Sequence, residues 1–565
     1  MNKWKKRTYD QENEKELLKQ TNKLVARLLS QRNIKEATKF TSANYNDLTH
    51  PHSLKGIKEA ADLFCNTVKN KGKIAVLGDF DADGIISTTL IKELCNVFEV
   101  DCNVFIPSRL EHGYGLNSKS IETIKEKFNP KPDLLFIVDC GTSNEQEIKQ
   151  IHEWSANTKI IIIDHHEVNY DNLSKSADIL INWHLDNSEE TCAGGEVFQF
   201  IRAIRWLTKK VDPVEFLSLS AISILADVSP IIGNNRIIVK NGLKEYALKH
   251  VTSSGLNALL KSAGLSGESL TQEDVSFKIA PRINAVGRLM QAEIVHHLLI
   301  EQNPTVSESM ALKLNEHNEE RKRIQKKITK EAESMVQENI DSYPHGILIY
   351  NEKWQIGLVG LIAAKLSEMF NKPTLVFGGN NNIIKGSGRS INNINLKKIL
   401  DSCSDLFDNY GGHSMAVGAT LKASRIKDAN EVFNRICKEQ GVDCKQNDRF
   451  YDVDIGVENV NMKTAEMLLN TIYPYCSKLN PEPIFKLSNV IISGCSFVEK
   501  PTWKMLSFYA SKNDKKTELQ FRMFNNIYGS EINGFAVDIY FSFPQNVKKT
   551  KYGYASANVI DIVKI

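Results

Sequence analysis

The sequence predicts an α/β protein of several units: a parallel-sheet domain, a smaller α/β domain joined to it by a long helix, and a C-terminal β-barrel. Three patterns predict this. From residue 73 to about 240, short β-branched apolar runs alternate with helical stretches: KIAVLG, VFIP, DLLFIVD, KIIIID and ADILIN. Buried parallel strands with helical crossovers read in this way. Residues 305–342 are then helical and charged, without a Gly or Pro, which suits a connector between domains. Residues 501–565 hold 12 aromatics in short alternating strands such as FAVDIYFSF, the pattern of a small barrel.

Taken in order, residues 1–70 are polar with helical spacing. Leu17, Leu18, Val25, Leu28 and Leu29 fall on one face that would pack on the core. The first α/β domain spans 71–300, its last part helical. The connector covers 301–345, the second α/β unit 346–425 from HGILIY onward, and the barrel 445–565. The length of 565 residues fits three or four domains at roughly 150 residues each. Lys plus Arg number 71 against 68 for Asp plus Glu, and 42% of residues are apolar. That excludes a disordered chain, a collagen, a membrane channel and a binder working by bulk positive charge. The net charge of +3 is unevenly spread: residues 1–50, 311–330 and 501–565 are each net basic, so the remainder is net acidic. No apolar run approaches the ~18–20 residues of a membrane span. The basic N-terminus lacks the apolar core of a secretory signal. Ten cysteines without a CxxC pair argue against a zinc ribbon and for reduced, buried thiols in the cytoplasm.

Four segments carry acids or histidines where strands or helices end. The first strand runs into Gly78-Asp79-Phe80-Asp81-Ala82-Asp83-Gly84, three carboxylates that share a face in a strand and converge in a turn. Alone, this is a metal loop, a calcium-type loop or a solvated acidic turn. LLFIVDCG ends in Asp139, KIIIIDHH in Asp164-His165-His166, and LSLSAISILADVSP in Asp227. Each alone could be a helix cap or a packed side chain. Ligands of open parallel sheets bind at the carboxyl ends of the strands, so the strand-end groups aim at one crevice. Clustered acids need a cation, and hard oxygen donors suit Mg²⁺ or Mn²⁺. Carboxylates with one or two imidazoles make a two-metal site, which activates a water for in-line displacement at phosphorus.

Phosphate-binding candidates surround that crevice. Arg109 in IPSR follows the VFIP strand. Arg282 and Arg288 flank Asn284 in APRINAVGR, and guanidinium forks suit phosphate oxygens. In KGSGRS, Gly386 and Gly388 would let backbone N–H groups approach an anion, with Ser387, Arg389 and Ser390 adding donors. There is no GKS or GKT and no GxGxxG, so nucleotide hydrolysis for energy is unsupported. Tyr114, between two glycines, is either a base-stacking ring or a packed one. The connector's basic run RKRIQKK is either a solvated face or part of a strand channel.

The order GDFDADG, IPSRLEHGYGLN, FIVDCG, IDHH, LADVSP resembles the DHH phosphoesterase superfamily. FKIAPRINAVGRL, GLVGLIAAKL, KGSGRS and YGGHSMAVGATL further resemble its bacterial RecJ branch. That branch comprises 5′→3′ exonucleases specific for single-stranded DNA. The resemblance implies a catalytic DHH domain, a DHH-associated substrate-binding domain and an oligonucleotide-binding (OB-like) barrel. It implies that Asp79, Asp81 and Asp139 hold one Mn²⁺ or Mg²⁺ ion. Asp83, Asp139, His165 and Asp227 would hold a second, with Asp139 bridging. His166 would contact the scissile phosphate and Asp164 would orient a histidine. Arg109, Ser387 and Arg389 would recognise the 5′ end, Arg282 a backbone phosphate, and His413 of the GGH turn would lie near the strand. The products would be 5′ mononucleotides, in recombination and repair. The partners implied are single-stranded DNA, a helicase and a single-strand-binding protein, for a monomer away from membranes. The chain departs from the family at Phe80, usually Tyr, at Glu196, usually apolar, and before NPEP, where glycines are usual. The alternatives are a DHH phosphatase of short oligonucleotides, whose relatives lack the barrel and connector, and an inactive scaffold, which would have lost its metal ligands.

Overall fold

The computed structural model gathers the first unit's strands into one parallel sheet. Their spatial order is Cys102–Phe105, Ile74–Leu77, Leu134–Val138, Lys159–Ile163, Ile179–Ile181. In chain order this reads 2-1-3-4-5, reversing between the first and third strands, and such a reversal opens a crevice at the strand ends. The structure describes all residues except 1–3, 109–111, 114, 187, 266–267, 290–291, 380–381, 392–393, 442–448, 477–478, 501–502, 526–527, 529 and 546–555, and the side chains at 245, 288, 289 and 530. Both faces of the sheet are covered, which is why its strands are continuously apolar. Ile74, Val76 and Phe136 pack under helices carrying Phe64, Ile86 and Phe200. Their neighbours Ala75, Leu77 and Leu135 pack on the opposite face under Ile121, Ile124 and Ile148, following the two-residue period of a strand.

A helical layer leads to the connector, Pro304–Glu338, 35 residues long and so about 50 Å. Asn303 caps it through Thr305 and Val306 N–H, with Pro304 in the first helical position. Its buried stripe changes partner along its length. Ala311 and Leu314 join the core of the first unit, while Ile328, Ala332 and Val336 join Ile347, Trp354 and Leu358 of the second. The basic run RKRIQKK is largely a solvated face, with Lys322 paired to Glu319 and Arg323 to Glu320 one turn away.

The second unit has a five-stranded sheet ordered Asn409–Gly412, Ala416–Lys422, Ile383–Arg389, Thr374–Gly378, Ile347–Asn351, parallel only between the last two. Its core takes in Ala429, Phe433 and Cys437 of helix Ile426–Glu439, beyond the 425 expected from sequence. In the C-terminal region, strands Phe485–Lys500, Ala536–Ser542, Ser556–Lys564, Gln520–Phe524 and Trp503–Lys512 pair in a ring. This closed five-strand barrel removes its own edges, as OB-like barrels do. Among the described residues, no helix is long and apolar enough to cross a membrane.

The N-terminal helices differ from the single face read in the sequence. They are two, Gln11–Leu18 and Lys23–Ser30, the second capped by Asn22. Leu17, Val25, Leu28 and Leu29 are fully buried, whereas Leu18 is exposed, because the break at Asn22 shifts the phase between the helices. Their apolar face joins the barrel's core rather than that of the first unit. Strand Trp4–Lys6 also pairs with Arg449–Tyr451. Arg236, on helix Gly233–Gly242 of the first unit, fastens the two parts. It donates to the carbonyls of Phe40, Thr471, Ile472, Tyr473 and Pro474.

Candidate metal centre

The first strand, Ile74–Leu77, leads directly into helix Ala82–Val97. Two glycines make the turn this tight. A Cβ on Gly78 would stand 2.0 Å from Thr88 Oγ1, and one on Gly84 would stand 2.5 Å from the backbone N and O of Asp79. Asp81 caps the helix, its Oδ1 accepting from the N–H groups of Asp83 (3.0 Å) and Gly84 (3.2 Å). The acids thus occupy a strand end, a cap and a first helical turn, and the turn makes them converge.

Asp83 is buried against the start of helix Ala193–Thr208. Its carboxylate accepts from Ala193 N and Gly194 N, each at 2.9 Å, and from Ser223 Oγ. A helix N-terminus favours negative charge there. These supports were not singled out in the sequence. The small-residue run Cys192-Ala193-Gly194-Gly195 hinted at a close approach, while Ser223 gave no signal. Asp139 follows the third strand with φ +60°, and Asp227 closes helix Val214–Ala226 with Ser229 Oγ on its Oδ2 at 2.8 Å.

The donors form three overlapping groups, each with ligand atoms within 4.8 Å of one another: Asp79, Asp81 and Asp139; Asp83, His165 and Asp227; and Asp139, His165 and His166. His165 Nε2 lies 3.1 Å from Asp139, 3.7 Å from Asp83 and 3.9 Å from Asp227. Among the described residues, Asp79 Oδ1 is buried without a hydrogen-bond partner. Burial, then the charge of Asp81, pushes Asp79 up to about 8. Burial likewise lifts Asp227 to about 7 against the opposing pull of His165. Asp139 is raised by burial and by the acids around it. Such a cluster is short of positive charge. Oxygen donors with one imidazole fit Mg²⁺ or Mn²⁺.

Asp164 is oriented away from that centre. Its carboxylate accepts from Thr142 N (2.9 Å), His165 N (2.8 Å) and His166 Nδ1 (2.7 Å). Although burial alone would raise it, these bonds and the histidine charges hold it below the usual carboxylate range. Burial also disfavours the His166 imidazolium, but the hydrogen bond and charge of Asp164 outweigh this and lift it to about 9. Glu196, the odd residue in CAGGE, is buried with Oε1 on Trp183 N–H at 3.2 Å, and burial raises it well above the usual range.

The strand-binding candidates are less uniform. Arg109 and Tyr114 lie outside the described residues, as does the side chain of Arg288. Asn284 is turned to the metal loop, its Oδ1 accepting from Ala82 N at 2.8 Å. Arg282 is buried and forks onto Asn315 Oδ1. KGSGRS is not the anion loop its glycines suggested. It forms the central strand Ile383–Arg389, with partners on both sides, so its backbone N–H groups belong to the sheet ladder. The glycines serve packing: a Cβ on Gly386 would stand 2.5 Å from the Phe377 ring, and one on Gly388 would press on Leu375, Val417 and Leu396. Arg389 Nη1 lies 3.1 Å from Ser387 Oγ. Both residues lie beside Gly360 near the start of helix Val359–Phe370. Ser390 is used internally, its Oγ on the Ile394 carbonyl at 2.6 Å. His413 Nδ1 meets Glu167, the residue after His166, at 3.1 Å, so the second unit touches the first beside the metal centre.

Residues 73–224 match the model of the DHH family N-terminal domain, and residues 345–439 match that of the DHHA1 domain. The Bacillus subtilis single-stranded-DNA-specific exonuclease RecJ is 32% identical over 510 residues, covering 86% of this chain and 62% of the relative. The Haemophilus influenzae protein of the same name is 29% identical, covering 79% of this chain and 80% of the relative. The chain thus spans a little under two thirds of the first and four fifths of the second. The crystal structure of Thermus thermophilus RecJ in complex with Mn²⁺ shares the fold at a TM-score of 0.82 and 21% identity, over 100% of this chain and 80% of the other. With both domain models falling on the two α/β units and RecJ relatives aligned along most of its length, the chain belongs to the RecJ branch of the DHH family.

Proposed function

We propose that the protein is a metal-dependent exonuclease that hydrolyses single-stranded DNA from the 5′ end, releasing 5′ mononucleotides. One observation carries this reading: three overlapping groups of cation donors, linked through Asp139 and His165, meet at the strand-order reversal. When bound there, two Mn²⁺ or Mg²⁺ ions supply the Lewis acidity and water activation of phosphodiester hydrolysis. Asp79, Asp81 and Asp139 would hold one ion, and Asp83, Asp139, His165 and Asp227 the other. The relatives support the metals, since T. thermophilus RecJ crystallises in complex with Mn²⁺ and with Mg²⁺.

The protein's own groups do the rest. His166, kept cationic by Asp164, faces the charge that develops on the phosphoryl oxygens. Ser387 and Arg389, beside a helix N-terminus, take the 5′-terminal phosphate and so set polarity. The contact between His413 and Glu167 would narrow the approach to the centre, favouring a single strand over a duplex. The barrel would guide the incoming strand. A helicase and a single-strand-binding protein are the partners that would supply such a substrate in the cytoplasm, to an enzyme acting as a monomer.

The test is digestion of end-labelled single and double strands, of both polarities, with and without Mn²⁺. Mononucleotide release from the 5′ end of single strands only is expected. Cleavage confined to the 3′ end would refute the 5′ pocket, and cleavage confined to dinucleotides would favour an oligonucleotide phosphatase. His165→Ala should lower the rate by more than about 100-fold. It is a cleaner variant than Asp83→Ala, which would also strand the N–H groups that open helix Ala193–Thr208.

A further inference from the structure

The edge strand of the parallel sheet, Ile179–Ile181, ends just before Asn182. It runs parallel to Lys159–Ile163, with Ile181 opposite Ile163. The pairing continues one step further, where Asp164 N–H donates to the Ile181 carbonyl at 3.0 Å. Asn182 therefore leaves the sheet beside Asp164, at the carboxyl-end crevice. It is buried, and its amide is used on both sides. Nδ2 donates to Thr142 Oγ1 at 2.9 Å and to the His166 carbonyl at 3.0 Å, while Oδ1 accepts from His184 N–H at 2.9 Å. Turning the amide end for end would set its oxygen against the His166 carbonyl and its NH₂ against the His184 N–H, so the partners fix its orientation. The turn that follows, Trp183–Leu185, is tied down in its own right, because Glu196 Oε1 accepts from Trp183 N–H at 3.2 Å.

These bonds join the two loops that hold His166. Thr142 gives its N–H to Asp164 at 2.9 Å. Asp164 in turn accepts from His166 at two points, the ring Nδ1 at 2.7 Å and the backbone N–H at 3.3 Å. The carbonyl is a third point, and Asn182 holds it. A residue gripped at its N–H, its carbonyl and its ring has a fixed direction in which the imidazole can face. The grip is stiff because the amide that supplies it is buried and saturated. The Asn182 oxygen is taken by His184 N–H, so the side chain acts on the histidine rather than as a metal donor.

We propose that Asn182, braced by Thr142, is a positioning residue for phosphodiester cleavage, holding the His166 carbonyl so that the imidazole faces the scissile phosphate. This rests on the reading of His166 as the group that meets that phosphate. A misplacement of about 1 Å at such a group is enough to slow a reaction by about 100-fold.

The test is single-turnover release of the first nucleotide from a 5′-labelled single strand, with the full chain in excess, over a range of enzyme and of Mn²⁺ concentrations. Asn182→Leu keeps the volume and removes all three bonds. It should lower the saturating rate by about 10- to 100-fold and leave the half-saturating enzyme and Mn²⁺ concentrations within about twofold of wild type. Asn182→Asp sets a carboxylate oxygen against the His166 carbonyl and should lose as much, which protects the test if the leucine variant folds poorly. Thr142→Ser keeps the hydroxyl that accepts from Asn182 and should keep at least about half of the rate, whereas Thr142→Val should not. In a His166→Ala background, Asn182→Leu should cost less than about a further twofold, because the group it positions is gone. A wild-type rate in both Asn182 variants, a shifted Mn²⁺ requirement, or an undiminished further loss in the His166→Ala background would overturn the positioning role. A wild-type rate in His166→Ala itself would instead overturn the underlying reading of His166, and the positioning role with it.

Discussion

Asp164 shows how one side chain sets the chemistry of its neighbour. Nearly all its acceptor capacity goes to Thr142, His165 and His166, so its charge acts through a histidine. Asp164→Asn keeps the shape and removes the charge that lifts His166 to about 9. Activity near pH 8 should fall by about 10- to 100-fold, and the alkaline limb of the pH–rate profile should move to lower pH. A lower rate with an unshifted limb would show that His166 does not act as a cation. This network was readable as far as its residue types, because Asp164, His165 and His166 are adjacent and end an apolar strand. Thr142 could not be read, since it meets Asp164 only after the third and fourth strands align in parallel.

At the scale of elements, the sequence spoke clearly where a signal is local and misled where the partner is distant. Strands such as LLFIVD and KIIIID are continuous apolar runs, and their buried register follows directly. KGSGRS looks like a phosphate loop until the strands on either side are known, because only Phe377, Leu375 and Val417 explain its glycines. Helix Gly233–Gly242 offers a test of a long-range fastening. Arg236 is buried on it, and burial pushes its pKa down to about 9, yet its partners are five carbonyls rather than a carboxylate. Arg236→Met would leave those carbonyls without their donor and should cost at least about 3 kcal/mol in urea unfolding. A change below about 1 kcal/mol would mean that other donors or water already satisfy them.

For the whole molecule, the metal centre couples cation binding to stability and pH. Asp79 and Asp227 titrate in the folded protein near 8 and 7, above the usual carboxylate value of about 4. Groups raised on folding contribute stability that is complete below their unfolded pKa and lost as pH rises through the folded value. His166, lifted to about 9, acts in the same sense at higher pH. The metal-free protein should therefore lose thermal stability from about pH 4 to pH 8, and Mn²⁺ should restore it. The Mn²⁺-induced rise in melting temperature should be larger at pH 8 than at pH 6. An equal rise at both would show that the acids are not proton-bound without metal.

The pairing of the N-terminal helices with the barrel has a consequence for the order of assembly. Leu17, Val25, Leu28 and Leu29 share a core with Phe485, Phe508 and Phe541, more than 400 residues later in the chain. During synthesis, the DHH sheet and the second α/β sheet can both close from contiguous segments while these leucines still face water. Contacts so far apart in sequence form late and slowly, and unburied apolar helices are open to aggregation or to a chaperone meanwhile. The barrel strands, made more than 400 residues later, thus complete the burial of these N-terminal helices.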